Sequence, residues 1–240
     1  MKTIVIPQEI DVLIASSGGV GTTFLINHIK QWKSTNSPDN HDGLKHLPIP
    51  PLTQNKNVQA IYVFGDPVMA TISLFRRQYH HTGSVAFQAF HPVDFIIPYE
   101  MTLAEYVAAQ KEGLYLERHF KNWQEMATPY PVLFVRYEAI HDQLEAIRDY
   151  LGLSQAFIDT FPPRRSRKSN SNEVDPATLA ALKSSISRFQ RTIEDTKDAR
   201  VKPATKTVLP PLSSPYRKAY LYHLSKKYPL FGRIIRRLKR

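Results

Sequence analysis

The chain reads as an α/β protein in three layers, a central parallel β-sheet flanked by helices, with a basic helical extension at its carboxy-terminal end. Short apolar runs at 11–16 (DVLIAS), 58–64 (VQAIYVF) and 132–136 (VLFVR) alternate with segments of helical period, the signature of a parallel sheet covered on both faces. The first run opens into a glycine-rich turn, SSGGVGTT. Charge is segregated: residues 1–160 hold 12 basic and 16 acidic side chains, whereas residues 161–240 hold 20 and 5. The whole positive excess therefore lies in the last third.

Taken in order, the strand at 11–16 and its turn lead into FLINHIKQW, where Phe24, Leu25, Ile29 and Trp32 recur at helical spacing. Residues 33–57 are polar and proline-rich, and Pro48, Pro50 and Pro51 keep the segment GLKHLPIPP out of a helix. Gly65-Asp66-Pro67 stops the strand at 58–64. A helix is predicted from Val68 to about Tyr79, with Met69, Ile72 and Phe75 on one face and Arg76 and Arg77 at its end. A loop carrying Gly83 and His91 follows, then helices over 102–111 and 114–126.

The strand at 132–136 is followed by a helix over 138–151, closed by Gly152 in the carboxy-cap position. PPRRSRKSNSN is a basic loop. Asp175-Pro176 opens another helix in the cap-then-proline order, and Leu179, Leu182, Ile186, Phe189 and Ile193 continue it as a packed seam. This organisation predicts an α/β domain over residues 1–200, a proline-rich linker over 201–215 and a basic amphipathic tail over 216–240.

Composition excludes several classes. At 42% hydrophobic and 22% charged, the 240 residues are neither disordered throughout nor collagen-like. The absence of cysteine excludes a disulfide scaffold, a thiolate zinc site and a cysteine nucleophile. No run reaches the roughly 18–20 apolar residues of a membrane-spanning helix. Pro7, Gln8, Glu9 and Asp11 interrupt any signal-peptide core. The expectation is a cytoplasmic protein, peripheral at a membrane if the tail binds one.

The glycine turn carries the first chemical signal. Gly18, Gly19 and Gly21 between a strand and a helix let backbone N–H groups point at an anion, with the helix dipole in support. Thr22 and Thr23 add hydroxyls. GGVG-TT resembles the phosphate loop of partition-type ATPases, but the lysine expected between Gly21 and Thr22 is missing, which argues against an ordinary NTPase.

The same loop, Gly-Thr-Thr followed by the aromatic Phe24, resembles the Lys-Ser-Gly-Thr-Thr-Trp loop of sulfotransferases that use 3′-phosphoadenosine 5′-phosphosulfate (PAPS). Three more segments follow in that family's order. GLKHLP (43–48) is similar to its Lys-Thr-His-Leu-Pro segment. IYVFGDPVMATISLFRR (61–77) is similar to its 3′-phosphate segment, with Pro67 and Ser73 at matching positions. FVRYEAI (134–140), with a helix ending in LGL, is similar to its Tyr-Glu-Asp-Leu stretch. The resemblance covers roughly residues 11–175 and implies a P-loop-like fold, PAPS as sulfuryl donor, adenosine 3′,5′-bisphosphate as product and no metal.

Residue by residue, the resemblance implies that Gly18, Gly19, Val20, Gly21, Thr22, Thr23 and Phe24 hold the donor, with Phe24 and Tyr137 near the adenine. It further implies that Ser73 contacts the 3′-phosphate and that His46 is the general base. Two family cations are missing, because the loop lysine falls at Gly19 and the 3′-phosphate arginine at Gly65. Lys45 is the candidate replacement for the first. Arg76, Arg77, Arg165, Arg167 and Lys168 are the candidates for the second.

Plainer readings stand beside these. Phe24 also suits the core, and Ser73 suits a helix hydroxyl bonded to its preceding turn. The His80-His81 pair and His91 lack metal-ligand spacing and read as a solvent-facing loop. Phe87, Phe90, Phe95, Tyr99 and Tyr106 line an acceptor pocket or fill a core. In the tail, Leu230, Ile234 and Leu238 alternate with arginines, which suits a membrane interface or a polyanion. The expected acceptor is a hydroxyl on a carbohydrate or lipid, and no nucleic-acid module is present. A nucleoside-triphosphate phosphotransferase and a non-catalytic sulfotransferase-like binding protein are the rival readings.

Overall fold

The computed structural model describes residues 4–91, 93–164, 171–196 and 198–205. The basic-loop residues Arg165, Arg167 and Lys168, most of the linker and the whole tail lie outside the described residues.

The main sheet has four strands: β2 (Val12–Ala15), β4 (Gln59–Phe64), β5 (Val132–Arg136) and β6 (Arg200–Lys202), in that spatial order. β2, β4 and β5 run parallel, with Leu13 opposite Ala60 and Ile61 opposite Leu133; β6 pairs antiparallel to β5, Val201 opposite Leu133. A separate two-stranded parallel sheet joins β1 (Val5–Ile6) to β3 (Leu52–Thr53). The protein is thus α/β with a mixed, mostly parallel sheet.

Helices fill the connections. α1 (Thr22–Ile29) links β2 to β4. Between β4 and β5 come α2 (Pro67–Arg76), α3 (His80–Gln88), α4 (Leu103–Ala108) and α5 (Leu116–Glu125); after β5 come α6 (Leu144–Leu151), α7 (Ala156–Asp159), α8 (Pro176–Ser185) and α9 (Ser187–Glu194). Both sheet faces are covered. Tyr62 and Phe134 meet Phe120 of α5, and Tyr62 also packs on Trp123. The alternating residues Ile61, Val63, Leu133 and Val135 are as fully buried, in one core with Leu25 and Ile29 of α1 and Ile147 and Leu151 of α6. Each such side chain contributes about 1.5–3 kcal/mol on burial. Among the described residues no helix is long and apolar enough to cross a membrane.

The expected caps are present: Asp175 accepts from Thr178 N, and Gly152 takes a left-handed conformation; Asp66, expected only to end the strand, also caps α2, accepting from Val68 N and Met69 N. Four expectations need correction. Residues 80–91 are not a solvent-facing loop: α3 occupies most of them, His80 stacks on Phe75 at 4.3 Å, and His80 and His91 are buried. The seam from Leu179 to Ile193 is two helices, because Ile186 at φ −113° and ψ 12° breaks the run. The helix predicted from residue 138 starts at Leu144, preceded by a single 3₁₀ turn over Tyr137–Ala139.

The fourth correction concerns the linker, whose first residues belong to the domain. Val201 and Lys202 lie in β6, the Lys202 ammonium donates to the carbonyls of Trp123 (2.6 Å) and Met126 (2.8 Å), and Thr205 N donates to Thr128 O. Lys202 thereby serves the carboxy-terminal end of α5, where unpaired carbonyls favour a cation. Burial lowers its pKa to about 8. Replacing it, Lys202→Met, is expected to reduce stability by about 1–3 kcal/mol, read as the midpoint of urea unfolding.

Candidate functional site

The site is organised at the carboxyl end of β2, where Ser16 is fully buried. Its N–H donates to Lys45 O (3.0 Å) and its carbonyl accepts from His46 Nδ1 (3.0 Å). Its Oγ accepts from Gly18 N (3.1 Å) and shares a hydrogen bond with Thr22 Oγ1 (2.6 Å). One residue therefore ties together the loop, the first turn of α1 and the segment carrying Lys45 and His46.

The outer edge of β2 is sealed further back. Val12 N donates to Ser34 O, and the Asn36 amide exchanges two hydrogen bonds with the backbone of Ile14. From the opposite side α5 holds the 44–48 segment: Trp123 Nε1 donates to Leu47 O and Asn122 Nδ2 to Pro48 O, both at 2.9 Å.

The loop glycines are required by conformation and by contact. Gly18, Gly19 and Gly21 have φ of 102°, 74° and 69°, a region that strains other residues. A Cβ on Gly19 would lie 2.7 Å from Ala70 O and 2.9 Å from Ala70 Cα, so the loop rests on the backbone of α2. A Cβ on Gly21 would overlap the Tyr137 ring, and one on Gly65 would lie 2.8 Å from a Glu138 carboxylate oxygen. The lysine of the resembled loop therefore has no room at position 19. At position 65 a carboxylate, which accepts from Asp66 N (3.1 Å), stands beside the glycine.

The helix starts differ electrically. Asp66 caps α2 with its own carboxylate, whereas α1 begins at Gly21 with no side-chain cap. Of these two, the start of α1 is the one left open to an external anion.

Cations reach the site from elsewhere. Lys45 Nζ donates to Thr23 Oγ1 (3.1 Å) and to Pro38 O, which sets the ammonium beside the first turn of α1. Burial lowers its pKa, opposed by Asp39 and reinforced by Arg77. Arg77 lies on the face of α2 that carries Ala70 and Leu74, and Leu74 would be 3.1 Å from a Cβ on Gly18. Its charge also acts on His46. Arg76 follows Ile72, which packs on Leu182, at helical spacing.

His46 has a defined tautomer. The carbonyl of Ser16 can only accept, so Nδ1 carries the proton and Nε2 the lone pair. Burial lowers its pKa to about 4, with the charges of Lys45 and Arg77 contributing; the hydrogen bond to Ser16 opposes the shift. The ring stands against the loop, its Cε1 3.9 Å from a Cβ placed on Gly18.

Beneath His46 lies a buried pair, Tyr62 OH and His119 Nδ1 at 2.8 Å. Burial holds the Tyr62 hydroxyl protonated, with Ser17 as an opposing partner, and lowers the pKa of His119 to about 3, with His46 contributing.

Of the remaining sequence candidates, Ser73 is buried one turn along α2 from Ala70, and its carbonyl accepts from Arg77 Nε (3.3 Å). The Val20 side chain is in the core, which leaves only its backbone for a ligand. Phe24 packs edge-on against Phe161 at 5.3 Å, at the rim of a cluster with His28 and Phe157. Tyr137 covers Gly21. Thr22 and Thr23 are at the loop, each already bonded to Ser16 or Lys45.

His80 and His81 donate to the carbonyls of Tyr99 and Ile97, a structural use. Ser16, Tyr62, His119 and Glu138 escaped the sequence reading as site residues; only the position of Ser16 at the end of a strand before glycines could have signalled one of them.

Gly19→Ala is expected to cost about 2 kcal/mol or more through the left-handed backbone and the contact with Ala70, measured by thermal or urea unfolding. His46, His91 and His119 have pKa values of about 4, 4 and 3, burial being the first cause for each. The unfolded chain binds their protons near pH 6.5, so their contribution to stability is fully present above that pH and is lost as pH falls through about 4. Urea midpoints at pH 7, 5.5 and 4 should fall in that order, with a shallower fall in His119→Gln. Comparison of the chain with protein-family models, curated proteins and solved structures found no match.

Proposed function

We propose that the protein is a sulfotransferase that binds PAPS at the loop between β2 and α1 and transfers its sulfuryl group to a hydroxyl acceptor. The observation that carries the reading is the joint anchoring, on Ser16, of an anion-suited helix start and a histidine with its lone pair on Nε2. Bound at the loop, PAPS supplies the sulfuryl group and leaves as adenosine 3′,5′-bisphosphate.

The chain's residues divide the work. His46 Nε2 accepts the acceptor's proton as its oxygen bonds to sulfur and the bond from sulfur to the 5′-phosphate oxygen breaks. Loop N–H groups and the Lys45 ammonium stabilise the charge that develops on that oxygen. Arg77, which acts electrostatically on both Lys45 and His46, supplies further positive charge.

The 3′-phosphate does not fit beside Gly65, because the Glu138 carboxylate is there. The reading therefore assigns it to the basic segment that begins at Arg164, which pairs with Asp142 at 3.4 Å; the preceding Pro162 carbonyl accepts from His141. Glu138 at that corner also favours a second reading, a phosphotransferase whose nucleotide lacks a 3′-phosphate.

A nucleotide comparison separates the two. Adenosine 3′,5′-bisphosphate should raise the unfolding temperature and ATP with magnesium should not; the reverse result sinks the sulfotransferase reading. Transfer of labelled sulfate from PAPS should fall by about 10²–10⁴-fold in His46→Ala. Because the base must be unprotonated, the acid limb of kcat/KM should lie near pH 4 instead of 6.5.

A further inference from the structure

Among the described residues, Tyr79 and Tyr99 are two of the three large apolar side chains that stay exposed, at 55% and 51%. They flank one turn. Just past the end of α2, Gln78 has a φ of 56°, left-handed although it is not glycine. The reversal places Tyr79 at the start of α3, with its N–H on Leu74 O (2.8 Å). Leu74 is the residue that meets Gly18, so a single side chain separates the phosphate loop from the backbone that carries Tyr79.

Tyr99 is held at the same turn. Its hydroxyl donates to Gln78 Oε1 (3.0 Å) and its carbonyl accepts from His80 Nε2 (3.0 Å). Two residues back, Ile97 O accepts from His81 Nδ1 (2.8 Å) and Ile97 N donates to Ser84 Oγ (3.1 Å). His80 is clamped in turn by its stack on Phe75.

Three side chains of α3 thus fix the strand of chain that presents one exposed ring, and a backbone outlier presents the other. Such strain and rigidity concentrate where a ligand is held. The Arg77 guanidinium lies over the Tyr79 ring at 5.2 Å, with its charge within reach of Lys45 and His46.

We propose that Tyr79, Tyr99 and Arg77 form the acceptor subsite, and that its ligand is an acidic oligosaccharide, pyranose rings bearing carboxylates. The assignment as acceptor rests on the sulfotransferase reading; the saccharide site itself does not. Two separate tyrosine rings edged by an amide and a guanidinium match a pyranose, which has an apolar C–H face and a polar rim. Among the described residues the only other large apolar side chain left exposed is Val201, so the two rings are not part of the contiguous apolar patch that marks a lipid or protein contact. Arg77 selects a ring that carries negative charge; it lies over the Tyr79 ring, and its charge also acts on His46, toward which an acceptor hydroxyl must come.

Titration calorimetry of the full chain tests this with hexagalacturonate, maltohexaose and phosphatidylglycerol vesicles as probes, each against wild type, Tyr79→Ala, Tyr99→Ala and Arg77→Gln. Circular dichroism checks the fold, which exposed side chains should leave intact. Hexagalacturonate should bind, each tyrosine variant should weaken it about tenfold, and maltohexaose and Arg77→Gln should show a comparable loss. Adenosine 3′,5′-bisphosphate is titrated separately, and Tyr79→Ala should retain its affinity.

Three results overturn the saccharide site: no hexagalacturonate binding, binding indifferent to both tyrosines, or tyrosine-dependent binding of the vesicles in its place. Tyrosine-dependent hexagalacturonate binding without any nucleotide binding keeps the saccharide site and removes the donor reading instead.

Discussion

The site depends on one residue whose polar atoms are all used. Ser16 has no exposure to water, and its amide, carbonyl and hydroxyl engage Lys45, His46, Gly18 and Thr22. Leaving any of these groups unpaired in the core would cost about 1–3 kcal/mol, which favours the arrangement that makes all four contacts. The glycine loop and the His46 imidazole consequently share an anchor at the end of a buried strand. A chemistry that needs donor and base at fixed separation is served by that arrangement, since neither element can shift without breaking the other's hydrogen bonds.

Around this anchor, segments following three parallel strands converge at the carboxyl end of the sheet, the end where ligands of α/β proteins bind. The convergence is tight enough to dictate composition. α2 touches Gly19, Tyr137 covers Gly21, and Glu138 abuts Gly65. Positive charge is therefore excluded from the loop itself and delivered by side chains that reach in from Lys45 and Arg77. Both charges, with burial, weaken the basicity of His46. The consequence is an imidazole that stays neutral across the physiological range.

Much of the framework was legible because it is written in local signals. Strands β2, β4 and β5 are apolar runs bounded by turn residues; the helix start at Pro176 carries an aspartate cap and a proline in fixed order. Those signals need only a few neighbouring residues to act. What escaped notice depends on distant partners. α3 contains Gly83 and begins with two histidines, a poor helix by propensity, and forms because Phe75, Ile97 and Tyr99 receive its first turn. β6 is two exposed residues and a half-buried lysine with no apolar alternation, recognisable only once β5 offers an edge and α5 offers carbonyls to Lys202.

The same division runs through the site. By itself the sequence determined that a glycine-rich turn joins a buried strand to a helix and that Lys45-His46 lies in a proline-stiffened loop, since backbone conformation and apolar patterning are local properties. Only the tertiary structure decided that His46 turns its Nδ1 to Ser16, that the Arg77 charge acts on Lys45 and His46, and that Gly19 and Gly65 are glycines because Ala70 and Glu138 fill the adjoining space. Hydrogen-bond direction and excluded volume are set by residues 30 to 73 positions apart in the chain, and no spacing within one segment encodes them.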